Sequence, residues 1–160
     1  MHCNDAIQLC LDAADMISMM YLQDLSDEEM MIRPAPGMNH INWQVGHLIA
    51  SEYEMLRAGR PDTASALPEG FLEQYSKEQA QSDNPADFRT KEELLALYQA
   101  QRAISLNSLA AEPDDAFEKP SGVPYAPNMG ALYSMLGTHW LMHSGQWVVV
   151  RRNLGRPPLF

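Results

Sequence analysis

The stretch "GTHWLMHSGQW", residues 137–147, decides how this chain folds. Read as a helix, it places His139 and His143 one turn apart on one face, with Trp140 and Trp147 around them. The neighbouring "WVVV" is β-branched, but it lies inside a longer helical pattern, and no period-two alternation persists anywhere in the chain. Asn128 supplies an N-cap before this run, and Gly155 followed by Pro157 supplies a stop, so the spacing predicts a helix over 128–153.

Working outward, three more helical stripes emerge. The first covers 4–24, with Ala6, Leu9, Cys10, Ala13, Met16, Ile17 and Met20 at helical spacing and Asn4 as its cap. Ser26 with Glu29 then reads as a capping box on one extra turn, and "RPAPG" breaks the chain. The second runs over 39–58 with Gly59 as its stop, and Trp43, His47 and Ala50 share a stripe that Glu54 extends. The third, 91–111, opens on a capping box from Thr90 to Glu93 and ends before Pro113. Residues 60–90 hold one short helix at most and read as a crossover or a lid. The expected fold is all-α, a four-helix bundle with a long crossover connection, forming one domain over 1–160.

Composition narrows the function. The 160 residues are 46% hydrophobic and 20% charged, which fits one globular domain. A net charge of -10 with only 11 Lys and Arg argues against nucleic acid and against an anionic membrane surface. No apolar run reaches the ~18 residues of a spanning helix, and the acidic start "MHCNDAIQLC" does not read as a signal peptide, so the expected location is cytoplasmic. Cys3 and Cys10, about 10.5 Å apart along one helix, are too distant for a disulfide and read as small core or boundary residues.

The histidine pair has two readings. Two core imidazoles satisfied by hydrogen bonds are one. A metal site is the other, favoured by Gly137 and Gly145 in the helix interior, where something approaches the backbone, and by Gln146, placed to orient a ligand or a bound water. A third ligand must come from elsewhere, and His47 on the second helix, preceded by Gly46, is the candidate. His40 falls at the bundle end, outside a metal shell, and His2 is terminal. The ferritin-like Glu-x-x-His pairs and the zinc-protease H-E-x-x-H are both missing.

"NWQVGHLIASE" followed some ninety residues later by "HWLMHSGQ" resembles the DinB-like superfamily, in layout over the whole chain and including the proline loop "PSGVPYAPN" before the last helix. The resemblance implies a four-helix bundle with a long crossover and His47, His139 and His143 as ligands of zinc, nickel or a similar divalent ion. It also implies homodimers, and in characterised relatives transfer or isomerisation reactions that use a low-molecular-weight thiol.

Three imidazoles leave a coordination position open, a pattern more often catalytic than structural. The ion could ionise a bound thiol or activate water, so three readings stand: a thiol transferase acting on a small molecule, a metal-dependent hydrolase, and a non-catalytic dimer with a structural or vestigial metal site. Around the ligands, Trp43 is a candidate pocket wall, Glu54 a base or a solvated position, and Tyr125 in the proline loop a cover for the mouth. Met19 and Leu22, off the main face of the first helix, offer surplus apolar surface for a second copy. The cysteines fall at no ligand spacing with the histidines, so any reacting thiol is expected from a cofactor.

Overall fold

A computed structural model describes residues 2–63 and 67–160 of the chain. Its elements in chain order are α1 (Cys3–Leu22), α2 (Asp27–Met30), α3 (Ile41–Gly59), α4 (Phe71–Gln74), α5 (Lys91–Ala110) and α6 (Met129–Asn153), with short 3-10 turns between them. Among the described residues there is no strand, only an isolated bridge between Val123 and Ala126. The fold is all-α.

Polar side chains placed just before α2, α5 and α6 start them. Thr90 accepts from the Glu93 amide while the Glu93 carboxylate takes the Thr90 N–H, Ser26 and Glu29 do the same on α2, and Asn128 accepts from the Ala131 amide. Each such cap contributes about 1 kcal/mol. Two caps differ from the expectation. α1 starts one residue before Asn4, with the His2 amide donating to Asp5 at 2.9 Å. α3 starts at Ile41, and the cap is the His40 ring, whose Nδ1 accepts from the Trp43 amide at 3.0 Å.

Cross-helix contacts give the directions. Leu11 packs on Gly137 and Arg151 reaches Tyr21, so α1 and α6 run the same way. Gln44 meets Trp147 and Glu52 meets Trp140, so α3 opposes α6. Ser105 bonds Glu52 and Arg60 pairs with Glu112 just beyond α5, so α3 and α5 are parallel. Two parallel helices in succession require a connection that travels the length of the bundle, and residues 60–90 make it.

Two apolar clusters fill the bundle. One gathers Trp43, Ile49, Tyr75, Trp140 and Trp147, the other Ile7, Leu56, Leu109, Phe117 and Tyr133. A polar knot ties the four long helices together at mid-height. Arg102 of α5 pairs with Glu52 of α3 and Asp15 of α1, each at 3.2 Å, and donates to the Leu136 carbonyl of α6 at 3.0 Å. Glu52, 1% exposed, also accepts from Ser105 at 2.7 Å and from the Trp140 indole at 3.3 Å. Burial raises the Glu52 carboxyl against the Arg102 charge that lowers it. Removing one partner of such a buried pair typically costs 3–5 kcal/mol, because the other charge is stranded.

The helix-interior glycines have packing explanations. A Cβ on Gly46 would lie 2.0 Å from the Tyr75 ring, which the crossover lays across α3, and one on Gly137 would lie 3.0 Å from Leu11 of α1. What approaches the backbone there is protein. At Gly145 a Cβ would meet nothing within 4 Å, so the close approach expected there does not occur.

Two expectations for α1 are corrected. Cys3 and Cys10 are exposed, because the core face of α1 is set by Ile7, Leu11, Ala14, Ser18 and Leu22. For the same reason Leu22 is buried and Met19 packs against the core, so neither is surplus. The exposed apolar side chains are instead Leu9 and Met16 on α1 and Met142 and Val149 on α6.

Candidate metal centre

The antiparallel packing of α3 on α6 brings three histidines to one point. One ring nitrogen from each of His47, His139 and His143 lies within 4.8 Å of the others. Ring centroids are 5.5 Å apart for His47 and His139, 5.7 Å for His47 and His143, and 5.0 Å for His139 and His143. All three rings are half-buried at the edge where the two helices meet. Burial pushes His47 and His143 down to about 4 and lowers His139, and the neighbouring rings add to the effect on the first two. At neutral pH the cluster is three uncharged imidazoles with lone pairs to offer.

The orientation of His143 follows from its neighbours. Its Nδ1 lies 3.0 Å from Gln44 Oε1. The same Oε1 accepts from the Trp147 indole, which only donates, at 3.0 Å. The Gln44 amide nitrogen faces the Asn39 carbonyl, which only accepts, at 2.6 Å. The Gln44 amide is thereby fixed in one sense, so His143 donates from Nδ1 and keeps its lone pair on Nε2. Gln44 is 1% exposed and went unremarked in the sequence, although it sits three residues before His47 as Gln146 sits three after His143. Gln146 stands one step further out, with its Oε1 accepting from Gln44 at 3.2 Å.

Trp43 forms a wall of the site. Its ring stacks on His47 at 4.8 Å and 5°, and its indole N–H donates to the Ser76 carbonyl of the crossover at 2.9 Å. Ser51 Oγ lies 3.5 Å from His47 Nε2, and His139 makes no hydrogen bond among the described residues.

Two expected neighbours lie elsewhere. Glu54 is exposed and joins no polar contact among the described residues, because the stripe that is buried at Trp43 and Ala50 leaves cover by the second turn beyond His47. Tyr125 is 64% exposed in a loop whose neighbours Gly122, Val123 and Ala126 pack on Ala58, Met55 and Leu56, at the opposite end of α3. By helical rise that end is about 16 Å below His47, too far for Tyr125 to cover the mouth. His40 is outside the cluster, as its place at the start of α3 requires.

The donor set fits a borderline divalent ion. Imidazole nitrogen suits zinc and nickel, and no carboxylate or thiol joins the three nitrogens among the described residues. The described residues offer three donors to such an ion and no fourth.

The family model described as the DinB superfamily matches residues 11–147, a span that includes all three histidines. Among solved structures, the chain is similar to "the conserved protein of locus" from Enterococcus faecalis, with a TM-score of 0.74, 17% identity, and coverage of 98% of this chain and 99% of that one. At that identity the likeness shows the fold alone. No curated protein matches.

Proposed function

This chain belongs to the DinB superfamily, and on that premise we propose that His47, His139 and His143 hold one divalent cation, zinc or nickel, in an enzyme that transfers a low-molecular-weight thiol to a small electrophile. The observation behind this reading is the convergence of three uncharged imidazole nitrogens with no fourth protein donor among the described residues. When bound, the ion lowers the pKa of a coordinated thiol and supplies thiolate at neutral pH. The chain's own residues prepare the place. Gln44 keeps the His143 proton on Nδ1, and Trp43 shields one face of His47 from water.

The surroundings favour thiol transfer over hydrolysis. Hydrolysis at such an ion is commonly assisted by a positioned carboxylate base, and no carboxylate of the described residues joins the cluster. Glu54 is exposed, and both oxygens of Glu52 are engaged in the core. A thiol, whose pKa is already near 8.5, can lose its proton to solvent once it is coordinated. Cys3 and Cys10 lie on α1, outside the cluster, so the thiol comes with a cofactor.

A second copy of the chain would dock on the exposed face of α6, with Leu9 and Met16 of α1 as further exposed apolar side chains on either side of Asp12. Met142 and Val149 are exposed there, and α6 carries no Asp, Glu, Lys or Arg from Met129 to Val150. In a chain of net charge -10, two copies approach best where acids are missing.

Metal analysis of protein grown with zinc and nickel, followed by a thiol-and-electrophile screen, tests the reading. About one ion per chain, lost on His143→Ala, together with thiol consumption that stops on chelation, is the expected result. Protein that emerges free of metal, or turnover indifferent to chelator, overturns it.

A further inference from the structure

The charge pattern around the cluster says what the site wants from its ligand. The chain has 11 Lys and Arg. Seven pair with carboxylates, Lys91 caps carbonyls at the end of α1, and Arg57 lies on the Tyr53 ring. Among the described residues that leaves Lys77 and Arg152 without a partner. Lys77 is exposed and directly follows Ser76, whose carbonyl holds the Trp43 indole that stacks on His47. The contacts of Ser76 with Trp43 and of Trp43 with His47 bring the backbone at Lys77 to the side of the cluster, and no carboxylate of the described residues joins the three imidazoles.

We propose that Lys77 anchors a second negative group of the ligand, so that the site selects small molecules carrying a metal-binding atom and a carboxylate over their uncharged counterparts. The inference rests on the metal reading above. With a divalent ion held by three neutral rings and Lys77 at the rim, the centre is a concentrated positive spot in a chain of net charge -10. No carboxylate of the described residues joins that spot, so the ligand neutralises it. The crossover carries Lys77 there because Trp43 and Tyr75 pin residues 75–76 onto α3.

The test uses cobalt-loaded protein and two thiols of matched size, 3-mercaptopropionate and 2-mercaptoethanol, with the sulfur-to-cobalt absorption band as the readout. The wild type should bind the carboxylate thiol about threefold tighter at low salt, a margin typical of an exposed ion pair, and the margin should shrink as salt rises. Lys77→Gln should bring the two affinities together without altering cobalt content, Lys77→Glu should reverse their order, and Lys77→Arg should retain the preference. A preference that survives in Lys77→Gln overturns the anchoring and leaves the metal reading intact. Absence of cobalt bands in the wild type overturns the metal reading and this inference with it.

Discussion

His40 and His47 stand seven residues apart at one end of the same helix, and they do opposite things. His40 is fully buried, its Nδ1 accepts the Trp43 amide at 3.0 Å, its Nε2 donates to the Ser82 carbonyl at 3.2 Å, and its ring meets Phe88 edge-on at 4.7 Å. Every polar atom of that side chain is used. His47 is half-buried, its flat face is covered by Trp43, and its nearest polar neighbour is Ser51 at 3.5 Å. Burial alone therefore does not mark a ligand. What separates the two is whether the ring nitrogens are already satisfied by protein, or face two other imidazoles with nothing between them.

The largest expected effect breaks that comparison in one step. His139→Ala or His143→Ala should abolish stoichiometric metal binding, measured by elemental analysis after gel filtration, because two imidazoles hold a divalent ion far more weakly than three. His40→Ala should keep the metal and lose stability instead, by about 1–2 kcal/mol for the missing cap. Metal retained at one per chain in His143→Ala would sink the assignment.

A smaller effect probes the orientation of one ring. Gln44→Leu takes away the acceptor that holds the His143 proton on Nδ1. Lost partners of this kind lower metal affinity about 10–100-fold. Competition with a chromophoric chelator measures it, and an unchanged dissociation constant would show that His143 needs no help to present Nε2.

The contrast extends to pH. Burial, with the Arg33 charge beside it, pushes His40 down to about 4, while Asp83 and the Ser82 carbonyl pull the other way. In the unfolded chain the group returns to about 6.5, so between these values the unfolded state binds more protons. The stabilising contribution is whole above about pH 6.5 and is lost as pH falls toward 4, at most ~3 kcal/mol. His40→Asn retains a capping oxygen and cannot titrate. Urea midpoints at pH 7.5 and 4.5 should fall less in this variant than in the wild type, and parallel losses would show that other groups set the acid limit. Burial also pushes His47 and His143 down to about 4, so the two proteins are compared without metal.

The four helices and most of their caps were legible in the sequence, since Ser26, Thr90 and Asn128 act through bonds to residues three positions away. The histidine cluster was legible through the i, i+4 pair and through His47 on the stripe of the second helix, and the family resemblance pointed to the same three residues. Gln44 was not, because its role depends on Trp147 and Asn39 meeting it from two other places in the fold. Tyr125 was misplaced because a loop reading gives no indication of which end of the bundle the loop closes. Of the two glycines read as close approaches, Gly137 is one and Gly145 is not, and spacing could not say that the visitor at Gly137 was Leu11 or that Tyr75 would lie on Gly46.

The smallest expected effect concerns the two glutamates of α3. By helical spacing Trp43, His47 and Ala50 share a stripe that Glu54 extends. That stripe is buried at Trp43 and Ala50, half-buried at His47, and leaves the cover of the bundle at Glu54. The inward face is one position around, through Ile41, Val45, Leu48, Glu52 and Met55, and it carries the buried carboxylate. Glu54→Gln should change stability by no more than ~0.5 kcal/mol, as for other exposed positions without partners, and should leave metal content and thiol turnover where they were. Chemical denaturation and metal analysis of the one variant suffice. A loss of turnover beyond about threefold at unchanged metal content would restore Glu54 as a proton acceptor, since an exposed carboxylate in no structural bond has no other route to the chemistry.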